Sequence, residues 1–118
     1  MAVVEVAHPA YPGQNIMTGS LAVVDNTLTL TRFMTWGVVS FQLTGTWTGT
    51  VTFECTVDGT TWVALQVFPS TSATGATTAT VNGAWAITSN PWAGVRCRFS
   101  TATSGTVVVT IKNAPSQF

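Results

Sequence analysis

Apolar and polar residues alternate in short runs along most of this chain, and turn-forming residues separate the runs. Val51, Phe53, Cys55 and Val57 alternate with Thr50, Thr52, Glu54 and Thr56, the period-two pattern of a strand with one dry face. Asp58-Gly59 follows and predicts a two-residue hairpin turn, because glycine takes positive φ without steric cost. In the second arm Val63, Leu65 and Val67 occupy one register and Trp62, Ala64 and Gln66 the other. Upstream, residues 21–25 and 27–32 read as two strands around Asp25-Asn26. Residues 38–44 follow, with Val39, Phe41 and Leu43 on one face. Residues 69–79 form a low-complexity loop without an apolar period. A strand pattern resumes over 80–89, and residues 93–100 and 105–113 predict a closing hairpin around Thr103-Ser104-Gly105.

No segment places apolar residues at helical spacing over a usable length, so helix content is expected to be minimal. About eight short strands joined by hairpin turns imply stacked antiparallel layers, an all-β sandwich of jelly-roll or immunoglobulin-like type. A length of 118 residues suits a single domain with a real core. Residues 1–20 differ from the rest. Val3, Val4 and Val6 fit a short edge strand, but His8-Pro9-Ala10-Tyr11-Pro12-Gly13 is turn and extended material. The expectation is an extended N-terminal arm over 1–20, either untethered or reaching to a neighbour, and a sandwich over 21–118.

Charge changes this picture. Only 7% of residues are charged and the formal net charge is zero, against about 25% charged in an average soluble domain. Polarity comes from Thr and Ser, roughly a quarter of the chain, which suit strand surfaces. A surface with so little charge promotes association, so much of it is expected to be covered by other subunits, with a homo-oligomer among the arrangements. The zero balance argues against nucleic acid, which needs a basic stripe to displace counterions. No apolar run approaches the roughly 18 residues of a membrane span. The opening residues lack the basic and long apolar regions of a secretion signal, so the protein is expected to be made in a cytoplasm.

Candidate chemistry is sparse. His8 is the single histidine, in the arm and without a G-x-S-x-G elbow. Glu5, Asp25, Glu54 and Asp58 are scattered, so no carboxylate pair or clustered oxygen ligand set is implied. Asp25 and Asp58 read as turn residues whose side chains bond nearby amides, and Glu54 is positioned to pair with Arg96 or Arg98 across strands. Cys55 and Cys97 both fall on dry registers, as buried thiols or as a disulfide between facing strands. Two Cys and one distant His fall short of a metal set, and no enzyme activity or cofactor is expected. Five tryptophans are many for this length. Trp47, Trp62 and Trp92, with Tyr11 in the arm, are candidate interface residues; core packing and sugar stacking are the other uses of such indoles.

The run Gly45-Thr46-Trp47-Thr48-Gly49-Thr50-Val51-Thr52-Phe53-Glu54, followed by Val57-Asp58-Gly59-Thr60-Thr61-Trp62, resembles small β-sandwich proteins of tailed bacteriophage particles. Gly94 to Phe99 and Gly105 to Ile111 resemble the closing strands of such domains, and the resemblance spans roughly residues 38–112. It implies a virion structural role: capsid decoration or cement, head fibre, or a tail or baseplate component. Major capsid or other virion proteins would be its partners, and it supplies no functional residues. A glycan-binding module and a disulfide-bridged immunoglobulin-like adhesion domain are the other readings.

Overall fold

Two strands longer than the molecule itself dominate the architecture. The computed structural model describes residues 3–7, 15–30, 38–88 and 93–114. Strand β4 (Val38–Thr56) has 19 residues and β9 (Gly94–Ala114) has 21. At about 3.3 Å per residue they would reach roughly 63 and 69 Å if straight, whereas the longest dimension of the fold is 41 Å. Both must bend. They bend as a pair, antiparallel from Val38 opposite Ala114 to Thr56 opposite Gly94.

The corner lies at Gly45–Gly49 in β4 and at Gly105 in β9. Gly49 has φ +150° and Gly105 φ +78°, conformations that side chains disfavour. Two register shifts accompany them: Thr48 faces Ser104 but Gly49 faces Ala102, and Thr50 faces Thr101 but Val51 faces Phe99. Each is a bulge of one extra β9 residue, which bends the strand and increases its twist. The expected hairpin around residues 103–105 is therefore replaced by a corner within one continuous strand. Residues 38–44 and 49–56 likewise belong to a single strand.

The other strands are β1 (Val3–Ala7), β2 (Asn15–Leu21), β3 (Thr27–Leu30), β5 (Trp62–Ala64), β6 (Phe68–Pro69), β7 (Thr78–Ala79) and β8 (Gly83–Thr88). The sheet order is β1-β2-β9-β4-β8-β6, with β3 added to β9 and β5 and β7 to β4. All pairs are antiparallel, and no helix occurs among the described residues. The corner folds this single sheet over itself. One half holds β1, β2, β8, β6 and the far part of β9 with the near part of β4; the other holds β3, β5, β7 and the remaining parts.

The halves meet through their dry faces. Phe53 of the second half lies 5.2 Å from Phe41 and 5.4 Å from Trp85 of the first, ring centre to ring centre. Val39, Leu43, Val107, Val109 and Ile111 line one side of this core, and Leu28, Leu30, Val51, Val95 and Phe99 the other, all buried. The all-β, sandwich-like fold is as the alternation predicts, with its two layers drawn from one sheet.

Local differences have clear causes. Residues 3–7 and 15–20, read from sequence as an arm, form the hairpin strands β1 and β2, and β2 pairs with β9 from Asn15–Asn113 to Leu21–Val107. The chain leaves β2 at Leu21, so the strand expected over 21–25 is instead a turn, closed by Val23 and Ala22 amides donating to Asn26 Oδ1. The hairpin after β4 is longer than two residues, since Thr56 pairs with Trp62. Within the 69–79 loop, β7 and a bridge between Val67 and Ala76 tie the chain to the sheet.

A Cβ on Gly49 would run into the Thr101 carbonyl oxygen and lie 2.9 Å from Phe99 Cε1, whereas Gly59, at φ +87°, has nothing within 4 Å. Gly59→Ala is thus expected to lose only the left-handed penalty of about 1–2 kcal/mol. Gly49→Ala is expected to lose at least about 3 kcal/mol, since the corner must also shift. Urea midpoints of the two variants check the difference.

Candidate functional site

The outer face of the β3-β9-β4 layer gathers most of the described charge. Glu54, Arg96 and Arg98 alternate with buried Phe53, Cys55, Val95, Cys97 and Phe99, so strand parity alone turns them outward. Register sets Glu54 opposite Arg96 and Thr52 opposite Arg98. Arg96 Nε donates to Glu54 Oε1 at 2.7 Å; Arg98 Nε and Nη2 donate to Oε1 and Oε2, each at 3.3 Å. Arg98 Nη1 donates to Asp25 Oδ1 at 2.9 Å. Hydrogen bonds to Glu54 and then to Asp25 raise the Arg98 pKa further.

Trp62 completes the arrangement. The Arg96 guanidinium carbon stands 4.3 Å from the indole ring centre, a cation–π stack. Glu54 is 7% exposed beneath the two arginines. The pairing expected between Glu54 and the arginines forms, with both of them at once. The turn position of Asp25 predicts a side chain that caps nearby amides. Asp25 adopts φ +68°, the turn amides are capped by Asn26, and its carboxylate reaches Arg98 because β3 brings Thr27 opposite that residue.

Trp47 sits at the corner, half-buried. Its ring meets Phe99 edge-on at 5.9 Å. Its N–H donates to Asn82 Oδ1 at 2.6 Å, and Asn82 Nδ2 donates to the Gly45 carbonyl at 2.9 Å. The indole closes the end of the core. Asn82 was not singled out from sequence; the bond spans 35 positions, and no local pattern announces it. Tyr11 and Trp92, the other candidate interface residues, and His8 lie outside the described residues.

Cys55 and Cys97 are free and buried. They lie diagonally on adjacent strands, Cys55 opposite Val95 and Cys97 opposite Phe53. Burial raises both thiol pKa values, with the Glu54 charge adding to the effect at Cys55, so neither is a reactive thiolate. Among the described residues, no three His, Cys, Asp or Glu side chains come together as a metal set.

Shallow depressions mark the surface. One of about 360 Å³ is lined by Val57, Asp58, Thr61 and Val63, with Val57 69% and Val63 54% exposed. Another, of about 300 Å³, lies beside Trp47 and Asn82, and a third, of about 240 Å³, lies on the outer face of the first half between Ser40, Gln42, Ala84, Thr110 and Lys112. None of these three pairs a nucleophile with a base or one carboxylate with another.

A scan against protein-family models matches none, and a search of the curated proteins finds no related sequence. A solved structure does share the fold. The chain is similar to the SPBc2 prophage-derived protein YomS at 11% identity, over 86% of this chain and 95% of that one, with a TM-score of 0.65. A protein of disulfide-linked pili, from Bacillus endospore appendages, aligns at 15% identity over 87% and 88% of the two chains, with a TM-score of 0.40.

Replacing Glu54 with Gln leaves two arginines facing a neutral amide, and a loss of about 1–3 kcal/mol in stability is expected. Because Glu54 is buried, the loss is expected to change little between low and 1 M salt, as read by urea denaturation in both. Asp58 gives a pH signature. Its carboxylate accepts from the amides of Thr61 at 2.7 Å and Thr60 at 2.8 Å, which hold its pKa well below the usual carboxylate range. With the folded value below the ordinary value of about 3.9, the turn's contribution is complete above that pH and fades as pH falls toward the folded value. The stability gap between wild type and Asp58→Ala is therefore expected to hold from neutrality to about pH 5 and to narrow below about pH 4.

Proposed function

We propose that this chain is a non-enzymatic structural protein of a bacteriophage particle, and that it acts as a capsid decoration protein on the assembled shell. The observation that carries the reading is the fold it has in common, over 86% of its length, with a prophage-derived protein, 95% of which is covered. One feature of the chain supports it. The described charges are largely used internally, in the Glu54–Arg96–Arg98–Asp25 cluster, which leaves broad neutral sheet faces suited to protein neighbours.

The mechanism is linkage. A protein that binds the assembled shell and not its free subunits stabilises the shell by mass action. Repetition over a symmetric lattice adds avidity to weak single contacts. Glycan attachment is disfavoured by the indoles themselves: Trp47 spends its N–H on Asn82, and Arg96 covers a face of Trp62.

The test is the protein content of gradient-purified particles from cells carrying the gene, with heads and tails separated and quantified by mass spectrometry. The chain is expected in heads, in fixed ratio to the major shell protein. Recovery in tails alone would make it a tail or baseplate subunit, and absence from particles would remove the structural reading.

A further inference from the structure

The broadest face of the molecule is the outer side of the half-sheet β1-β2-β9-β4-β8-β6. Its register is continuous across strands: Ile16 faces Lys112, Lys112 faces Ser40, Ser40 faces Ala86, and Ala86 faces Phe68. The next row runs Thr18, Thr110, Gln42, Ala84. Among the described side chains, Lys112 is the one charge on this face, and it makes no ion pair among them. We infer that this face docks a second copy of the chain, sheet against sheet.

Area selects the face. With strands about 4.8 Å apart and about 3.3 Å per residue, it spans roughly 600 Å² per copy. Two copies would together bury about 1,200 Å², the lower bound of stable, specific interfaces. The outer side of the other half has fewer strand residues, roughly 400 Å² by the same measure, and its ion cluster would be costly to desolvate. Among the described side chains, desolvating the first half buries no carboxylate, and the ammonium of Lys112 can extend along its apolar stem to solvent.

The face is also complementary to itself. Sheets of the same twist pack aligned at about 30°, and a twofold axis sets each residue of one copy against its reciprocal in the other. An axis running across the strands along the Thr110–Gln42 row brings Gln42 against Gln42, an amide that both donates and accepts. The depression between Ser40, Gln42, Ala84 and Thr110 then has room for the partner's side chains. The same axis keeps the two Lys112 ammonium groups about two rows, ~13 Å, apart, outside the Debye length of ~10 Å at 0.1 M salt.

The test is light scattering of the full chain over a dilution series, with Thr110→Arg and Ala84→Arg as interface variants and Thr103→Arg, at the exposed corner, as control. A dimer is expected for the wild type and the control. Each interface variant is expected to raise the dissociation constant at least tenfold while its circular dichroism matches the wild type. A monomer at every concentration would overturn the inference. So would an oligomer that both folded interface variants leave unchanged, since its contact would lie elsewhere, and so would a monomer that associates only when a carboxylate-bearing shell protein is added. None of these outcomes decides whether the chain belongs to the particle, which the head and tail analysis reads separately.

Discussion

The pairing of β4 with β9 carries this structure through a corner that neither strand could turn alone. A bent strand loses ladder bonds unless its neighbour bends at the same place, and the glycines at 45, 49 and 105 make the turn coincide in both. The two bulges have a further role in parity. Before the corner, odd-numbered residues of β4 face odd-numbered residues of β9, as Val39 faces Asn113; after it, Val51 still faces Phe99. One bulge alone would set odd against even and turn the dry residues of one strand outward. Two bulges restore the match, so both halves present their apolar residues to the same interior.

Much of this interior was legible in the sequence. Val39, Phe41 and Leu43; Val51, Phe53 and Cys55; Val95, Cys97 and Phe99; Val107, Val109 and Ile111 are buried as period-two alternation requires. The corner was not legible, because a glycine at positive φ serves a reversing turn and a bend equally well. Only the partner strand decides between them. β2 was hidden for a different reason: Gly19 interrupts its dry register between Met17 and Leu21, and polar Thr18 and Ser20 look like loop material.

The charged cluster shows the same division. Glu54 with Arg96 and Arg98 follows from parity, since all three face outward near one another on adjacent strands. Asp25 joins through β3, whose place beside β9 depends on the sheet order and not on any local pattern. Of the chain's four basic and four acidic residues, two of each meet in this one cluster. A protein with few charges has thus gathered half of them in one place, and among the described side chains its widest sheet face carries Lys112 alone.

Strand β9 is the neighbour of β2, β3 and β4, and it follows all three along the chain. During synthesis β2 and β3 emerge without the central partner that completes their ladders; β4 can pair with β5, β7 and β8, but the sheet that joins all of them is missing until residues 94–114 appear. Local hairpins such as β1–β2 can form early, but the sandwich can close only when β9 is inserted, through contacts of long sequence separation that fold slowly. A ribosome that stalls before this strand would release a chain with open edges, prone to pair with others of its kind.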